Sequence, residues 1–153
     1  MLDAFDLQLL KEMQRDAMQT ADSLANKVAL SPSAIARRLR HLRRGGWIVR
    51  TIALLSTRLT ETRLRAIVSI VLSDHADLKG KAALQQRLLA RDEVQWCYEI
   101  TGACDIIALA DCSDMAAFNA LADAVIASDP TVRRYETSFV KREVKFVPFV
   151  GLR

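Results

Sequence analysis

Arginine is concentrated in one short stretch of the chain, residues 37–44, which reads RRLRHLRR. The planar guanidinium group can bind the O6 and N7 atoms of guanine through two hydrogen bonds, or it can hold a phosphate. If the stretch is helical, a step of about 100° per residue separates its side chains into two faces. Ile35, Leu39 and Leu42 share one face, and the polar side chains almost opposite are Ser33, Arg37, Arg40 and Arg44, with His41 close by.

This polar face has the composition of a recognition helix that enters the major groove of double-stranded DNA. Ser31 and Ser33, together with the first N–H groups of the helix, could bind phosphate oxygens. Arg38 lies at the flank of the face, so a phosphate contact and a structural role are both open for it. The alternative for the whole stretch is the solvated face of an ordinary amphipathic helix.

The distribution of charge favours a DNA partner. The formal net charge is +4. Residues 1–60 contain ten Lys and Arg against five Asp and Glu, and no acidic residue occurs between Asp22 and Glu61. A solvated surface normally mixes both signs, whereas a block of one sign indicates a polyanionic partner.

The elements around the arginines predict a winged helix-turn-helix domain over residues 1–55. Residues 3–14 and a short segment after Thr20 show helical spacing of apolar residues. Ser31-Pro32 is a favoured start for a third helix, and Gly45-Gly46 a favoured end. Residues 47–55 read as an extended strand, and the polar segment 56–64 reads as a linker.

The second half predicts a ferredoxin-like domain over residues 65–153. Strand candidates are residues 66–72, 94–101, 105–110 and 132–140, helix candidates are 78–89 and 114–127, and 144–150 is a further strand candidate. The order β-α-β-β-α-β is that of the ferredoxin-like fold, whose two helices cover one face of an antiparallel sheet. The fold class is therefore α+β.

Both faces of the predicted sheet are apolar. Val68 and Ile70 point to one side, and Ile67 and Val71 point to the other. The helices of one chain can cover only one face. The second face therefore predicts a homodimer in which two sheets pack together, and a long connection that folds back over the sheet is the alternative.

Few residues suggest catalysis, a cofactor or a metal site. Cys97, Cys104 and Cys112 are widely spaced, and only two histidines occur, so the cysteines are interpreted as small buried residues and no metal is expected. No nucleophile–base pair or carboxylate pair stands out. The acidic opening is unlike a secretory signal, and no apolar run approaches membrane-helix length, so we expect a cytoplasmic protein with no membrane partner.

In combination, the two modules resemble the Lrp/AsnC family of transcription regulators, relatives of the leucine-responsive regulatory protein. The similar segments are LDAFDLQLL, SLANKVALSPSAIARRLRHLRRGGWI and DPTVRRYETSFVKREVK. The segment VQWCYEITGACDIIA resembles the family signature at Val94, Cys97, Thr101, Gly102 and Asp105. The resemblance covers nearly the whole chain and implies a sequence-specific regulator whose second domain is of the RAM/ACT type.

The resemblance also implies dimers that assemble further, often into octamers, and DNA binding tuned by an amino acid that lies between dimers. The effector-binding positions that it carries over are Glu99, Thr101, Gly102, Asp105, Met115, Ser138, Phe139 and Val140. Asp105 could receive an α-ammonium group, and Gly102 would let the backbone approach a ligand. The alternative is that Gly102 only makes a hairpin turn while Asp105 caps backbone N–H groups.

Two other functions remain open. An architectural protein that compacts DNA with little sequence preference would also use the arginines. Haem-pathway decarboxylases that act on sirohaem share the two-module architecture, but they carry His and aromatic residues around the strand that here reads DIIALAD. The chain also departs from the Lrp/AsnC pattern at Thr51, Ile106 and Thr131, where an aromatic, an aromatic and a Gly are usual.

Overall fold

The computed structural model describes residues 1–152, which form two compact units. The first unit contains residues 1–54 and the tail from Lys145, and the second contains residues 55–144. The predicted second domain, residues 65–153, differs from the second unit at the tail, and its last residue, Arg153, lies outside the described residues. No helix within the described range is long and apolar enough to cross a membrane.

Three helices form the first unit: α1 (Ala4–Arg15), α2 (Ala21–Ala25) and α3 (Pro32–Arg44). Each helix begins at a side chain that accepts a backbone hydrogen bond, and these N-caps are Asp3, Thr20 and Ser31. An oxygen at this position satisfies one of the N–H groups that have no partner inside a helix. The apolar faces share one core, whose most deeply buried members are Leu9, Leu24, Val28, Ile35 and Leu42.

The strand predicted over residues 47–55 is wrong, because these residues form no regular element. After α3, Gly46 adopts a φ of 74°, and the N–H groups of Trp47 and Ile48 bond to the carbonyl of Leu42. A strand needs a neighbour that supplies a hydrogen-bond ladder, and the described residues offer none to this segment. The first unit is therefore a helix-turn-helix without a wing strand, and the segment leaves Val49 and Ile52 exposed.

The tail from Lys145 also forms no strand, contrary to the expectation for residues 144–150. Instead, the side-chain amide of Gln14 in α1 binds the backbone of Val150. It donates from Nε2 to the carbonyl at 3.2 Å and accepts the N–H at 2.6 Å through Oε1. Leu152 packs against the three-helix core. The tail therefore contacts α1 and the three-helix core and does not pair as a strand.

The second unit is built on four antiparallel strands in the order β2-β3-β1-β4. The central strands are β1 (Leu64–Leu72) and β3 (Ile106–Cys112), and the edge strands are β2 (Val94–Glu99) and β4 (Val132–Phe139). A short 3₁₀ turn, Thr57–Leu59, precedes β1. The predicted β-α-β-β-α-β order and the ferredoxin-like class are confirmed.

Two helices, α4 (Leu78–Leu89) and α5 (Met115–Ala122), pack on one side of the sheet, which we call the inner face. A π-helical turn, Asp123–Ala127, continues α5 to the end of the predicted helix. Even-numbered residues of β1 and β3 point inward, because side chains alternate along a strand. The core that they form with the helices includes Val68, Ile70, Leu84, Leu88, Ile106, Phe118 and Leu121.

The opposite side of the sheet, the outer face, carries the second apolar surface that the sequence predicts. Its apolar side chains are Ile67 and Val71 of β1, Ile107 and Leu109 of β3, and Trp96 and Tyr98 of β2. The rings of Trp96 and Tyr98 lie 5.4 Å apart, and Tyr98 is 60% exposed. Neither α4 nor α5 covers this face, since both pack against the inner side chains.

Two of the cysteines belong to the inner core or pack against it. Cys112 is buried, and Cys97 packs against the same cluster. Burial raises the pKa of both thiols, which keeps them protonated and unreactive at neutral pH. This environment supports the structural interpretation of these two residues.

Gly80, in the first turn of α4, has no room for a side chain. A Cβ there would lie 2.6 Å from Oγ1 of Thr131 and would overlap the carboxylate of Asp77, which caps α4 by accepting the Gly80 N–H at 2.9 Å. We expect Gly80→Ala to lower the free energy of unfolding by about 1–3 kcal/mol through overpacking, measured by urea denaturation. Gly151→Ala is the control, because its Cβ would meet nothing within 4 Å. Equal losses in the two variants would contradict the steric argument.

Candidate DNA-binding helix and effector site

The third helix is fixed by its own sequence at both ends and along one side. Ser31 Oγ accepts the Ala34 N–H at 3.3 Å, and Pro32 occupies the first turn, where its missing N–H costs nothing. Ile35, Leu39 and Leu42 are buried in the core of the first unit. The remaining side of α3 is therefore turned to solvent.

That solvent side carries the predicted DNA-binding residues. Ser31, Ser33, Arg37, Arg40, His41 and Arg44 are all exposed. Within residues 1–152, Arg37, Arg40 and Arg44 form no ion pair, although five acids lie in the same unit. Ser31 Oγ and Ser33 Oγ are 3.1 Å apart at the start of the helix. The structure thus gathers six predicted residues on one accessible surface, whose guanidinium groups are available to an external anion.

Arg38 is engaged inside the first unit. Its Nη1 donates to Asp3 Oδ2 at 2.7 Å and to Asp6 Oδ1 at 2.8 Å, and its guanidinium lies 5.7 Å from the ring centroid of Phe5. Hydrogen bonds to Asp6 and Asp3 raise the pKa of Arg38. The sequence left a phosphate contact and a structural role open for Arg38. The geometry favours the structural role, because Arg38 joins α3 to the N-terminus of α1. A phosphate contact by its other nitrogens stays a prediction.

Arg38→Ala should lower the thermal midpoint of the first unit at pH 7, because Asp3 and the buried Asp6 lose their cation. The Asp6 N–H and Arg38 hold the pKa of Asp3 below its ordinary value of 3.8. A lowered carboxyl pKa stabilises the fold above the ordinary pKa, and this contribution is lost as pH falls through the folded value. The difference between parent and variant should therefore shrink below about pH 3.8.

The matched control is Arg15→Ala, which removes a 71%-exposed guanidinium that reaches only Glu12 at 3.2 Å. Exposed pairs of this kind contribute little to stability. Calorimetric scans from pH 3 to 7 would measure both variants. A pH-independent loss in Arg38→Ala, or an equal loss in both, would contradict the ion-pair assignment.

Lys27 is a cation of the first unit that forms hydrogen bonds within that unit. It belongs to the acid-free block, where the charge pattern suggests a contact with the DNA backbone. Its Nζ instead binds Glu12 Oε2 at 2.9 Å and Gln19 Oε1 at 2.6 Å. The hydrogen bond from Lys27 lowers the pKa of Glu12. Lys27 thus ties α2 to α1, and its contribution to the DNA-binding surface is smaller than its charge suggests.

At one end of the sheet, the β2–β3 connection borders a cleft of about 260 Å³. Four of the predicted effector residues line it: Glu99, Thr101, Gly102 and Asp105. Gly102 has a φ of 131°, a conformation that side-chain-bearing residues rarely adopt. The glycine of the signature is therefore required by the turn itself, which is the role that the sequence analysis kept as an alternative.

Both carboxylate oxygens of Asp105 have partners in the second unit. Oδ2 accepts the Leu72 N–H at 2.8 Å, and Oδ1 lies 3.1 Å from Nδ1 of His75. The first contact caps the end of β1, so the capping role of Asp105 is present in the structure. His75 is 76% exposed, so an incoming ammonium group could replace it at Oδ1.

Sequence reasoning missed three polar residues of this site. His75 and Lys81 line the cleft, and Gln85 lies one helical turn after Lys81. Glu99 accepts hydrogen bonds from Lys81 at 2.7 Å and Gln85 at 3.1 Å, and these contacts lower its pKa. The spacing of Lys81 and Gln85 on α4 was a usable signal, because residues four apart share one helix face. Nothing local marks His75.

The other predicted effector residues lie at the opposite end of the same sheet. Phe139 pairs with Ala66 and contacts the ring of Phe118, with centroids 5.4 Å apart, and the Val140 N–H bonds to the carbonyl of Arg65. Ser138 precedes them on β4, and Met115 begins α5 just after β3 ends. The seven residues of β1 from Ala66 to Leu72 span about 20 Å, six steps of about 3.3 Å. One chain therefore does not bring Met115, Ser138, Phe139 and Val140 to the Gly102 turn.

Comparisons with known proteins cover both units. Residues 2–43 match the AsnC-type helix-turn-helix domain, and residues 65–148 match the Lrp/AsnC ligand-binding domain. A leucine-responsive regulatory protein of Haemophilus influenzae is 31% identical, with 99% of this chain and 91% of the relative covered. The leucine-responsive regulatory protein of Salmonella typhimurium is also 31% identical, with 94% of this chain and 87% of the relative covered.

Solved structures show the same architecture. A transcriptional regulator of Neisseria meningitidis, crystallised with L-Met, superposes with a TM-score of 0.86 at 28% identity, covering 99% of this chain and 97% of that one. An AsnC family transcriptional regulator from Agrobacterium tumefaciens gives 0.85 at 26% identity, with the same coverage. The resemblance predicted from the sequence is confirmed, and the chain belongs to the Lrp/AsnC family as a DNA-binding transcription regulator with a ligand-binding domain.

Proposed function

We propose that this regulator recognises specific operator sites through the exposed face of α3. The observation that carries the proposal is the accessible row of Arg37, Arg40 and Arg44, none of which is ion-paired within residues 1–152. Guanidinium groups that the protein leaves uncompensated are suited to phosphates and to guanine edges. In this proposal residues 1–55 bind DNA, residues 56–64 act as a linker, and residues 65–153 bind the effector and other subunits.

The regulator acts as a homodimer joined through the outer face of the sheet. Trp96, Tyr98, Ile67 and Ile107 form an apolar surface that α4 and α5 leave uncovered. Such a surface is expected at a protein interface, and an antiparallel sheet can pack face to face on its own copy. Two α3 helices held by one dimer would read two half-sites of an operator.

The effector site is completed by further association of dimers. The predicted effector residues occupy two ends of the sheet about 20 Å apart, so a single ligand cannot contact both ends of one chain. An assembly that places the Gly102 end of one chain beside the Met115 and Val140 end of another removes this conflict. We therefore favour an octamer or a similar higher oligomer over an isolated dimer.

The effector is an α-amino acid. Asp105 offers a carboxylate to an ammonium group after exchange with His75, and the backbone around Gly102 can approach a ligand closely. The Neisseria meningitidis relative crystallised with L-Met supports this class of ligand. The proposed activity is regulated binding in the cytoplasm and includes no catalytic step.

Site selection from a random duplex library tests the DNA-binding proposal. Affinity for the enriched sequence should exceed affinity for competitor DNA by at least about 10³-fold at fixed salt, as for specific regulators. Hydroxyl-radical footprints should repeat on one face of the duplex at about 34 Å or its multiples. An absence of enrichment, with tight binding to every duplex, would favour the architectural function instead.

Calorimetric titration of the twenty amino acids tests the effector proposal. The amino acid that binds should lose affinity about 10-fold or more in Asp105→Asn, because a neutral amide attracts an ammonium group far less. Asp92→Asn is the matched control, since Asp92 is exposed and outside the cleft. Equal affinities in both variants would contradict the assignment of Asp105.

A further inference from the structure

A second cleft, of about 270 Å³, lies at the end of the sheet opposite the Gly102 turn. It is formed by residues 60–65, which include the start of β1, and residues 140–143, which follow β4. Four cations line it: Arg63, Arg65, Lys141 and Arg142. The acids around it are Glu61, Glu143 and the buried Asp111, so positive charge exceeds negative by one.

Two of these cations are held in place by ion pairs. Arg63 binds the Asp111 carboxylate through Nε and donates from Nη2 to the Asp111 carbonyl at 3.1 Å. Arg65 donates from Nη1 to Glu143 Oε2 at 2.6 Å. These contacts orient the guanidinium planes without an external ligand. One side of the cleft is therefore formed by arginine side chains whose positions are fixed by the protein's own ion pairs.

Two further cations of the cleft, and one nitrogen beside it, have no partner among the described residues. Lys141 and Arg142 are exposed and form no ion pair with any residue that the structure describes. The Nε of Arg65 is buried and has no hydrogen-bond partner, since Asp111 Oδ2 is 4.0 Å away and already accepts from Gln95. A buried donor without an acceptor is unfavourable, and a bound ion or an ordered water is one way in which native proteins satisfy such a group.

We propose that this cleft binds a phosphate-type oxyanion, carried either by a small molecule or by the DNA backbone. The donors approach from both sides of the cleft, and a tetrahedral phosphate has enough acceptor oxygens to satisfy several of them at once. A carboxylate ligand is less suitable, because Glu143 and Asp111 already supply carboxylate partners to Arg65 and Arg63. This site differs from the proposed amino-acid effector site in its ligand chemistry, which is anionic. Within one chain it lies about 20 Å from Asp105. Val140, which the effector proposal assigns to the second half of the effector site, also lines this cleft, so the Asp105 variant is needed to separate the two ligands.

The test uses the full chain with Lys141 and Arg142 both changed to Ala. The control variant changes Lys79 and Arg133 to Ala, because both are exposed cations outside the cleft and without an ion pair among the described residues. Circular dichroism checks that both variants fold. Inorganic phosphate and pyrophosphate are titrated by calorimetry, and duplex affinity is measured at several salt concentrations.

Two results support the proposal and distinguish the source of the anion. A small-molecule source predicts that pyrophosphate binds the parent and the control and binds the cleft variant at least 10-fold more weakly. A DNA source predicts equal pyrophosphate binding in the two variants. It also predicts that the slope of log affinity for the duplex against log salt concentration is smaller in magnitude by about one to two in the cleft variant alone. Phosphate binding should persist in Asp105→Asn. If the cleft variant matches the control in both measurements, the proposal is wrong.

Discussion

Replacing Arg37 by Ala is expected to weaken binding to the selected operator by about 5- to 150-fold at fixed salt. A bidentate contact between an arginine and a guanine contributes about 1–3 kcal/mol to discrimination, and Arg37 is exposed at the centre of the polar face of α3. Binding to a scrambled duplex should change much less, because base contacts add little to non-specific affinity. Fluorescence anisotropy with both duplexes gives the ratio directly.

Lys11→Ala is the matched control for Arg37→Ala. Lys11 is an exposed cation of α1 in the same unit, and the described residues give it no ion pair. Any effect of its charge on DNA binding should apply equally to both duplexes and leave the specificity ratio unchanged. If Arg37→Ala lowered both affinities by the same factor, Arg37 would be a phosphate contact and the base-reading assignment would fail.

Ile107→Glu is expected to break the proposed interface between two sheets, which lowers the mass of the particle, and to abolish tight operator binding. Ile107 lies on the outer face, where Tyr98 of β2 and Ser69 of β1 are its cross-strand neighbours. In a symmetric interface the substitution would bury two carboxylates without partners, at a cost of several kcal/mol. The dimer dissociation constant should rise about 10³-fold or more. Light scattering coupled to gel filtration measures the mass of the particle.

Leu89→Glu serves as the control, because Leu89 is an apolar residue of α4 that is already 67% exposed and lies away from the outer face. It introduces the same charge and should leave the oligomer unchanged. Circular dichroism must show that both variants remain folded. A folded Ile107→Glu protein with the parental mass would show that the outer face is not the subunit interface.

The elements that the sequence predicted well are those whose signals are local. Ser31-Pro32 and Gly45-Gly46 set the ends of α3, and the helix occupies Pro32–Arg44. The predicted helix 78–89 coincides with α4, which Asp77 caps. The strands of the second unit differ from their predicted bounds by at most two residues at either end. Caps and alternation act within a few residues, so a single chain displays them in full.

Features that depend on distant partners were not predictable in this way. The segment 47–55 has the composition of a strand but no neighbour to pair with among the described residues. The structural role of Arg38 depends on Asp3 and Asp6, which are more than thirty residues away in sequence. Lys27, which follows α2, is similarly neutralised by Glu12 of α1. Composition identifies cations, but only the packing of helices decides which of them remain available to DNA.

The sequence also did not predict which effector positions lie close together in one chain. Thr101, Gly102 and Asp105 are close in sequence, and the structure places them around one cleft. Val140 was assigned to the same ligand, yet antiparallel pairing sends it to the far end of β1. The family motif identifies residues without stating which copy of the chain supplies them. If one ligand contacts the full set, the strand order requires more than one copy of the chain.

The contact of Gln14 with Val150, and the packing of Leu152 on the three-helix core, have a consequence for exchanging modules between regulators of this kind. The amino-terminal unit consists of two separate stretches of polypeptide, residues 1–54 and the stretch from Lys145, which follows the second unit in sequence. A chimera that grafts only residues 1–54 onto a foreign sensor would leave part of the unit's apolar surface without its native covering. Recombination should therefore succeed more often when both stretches are transplanted together.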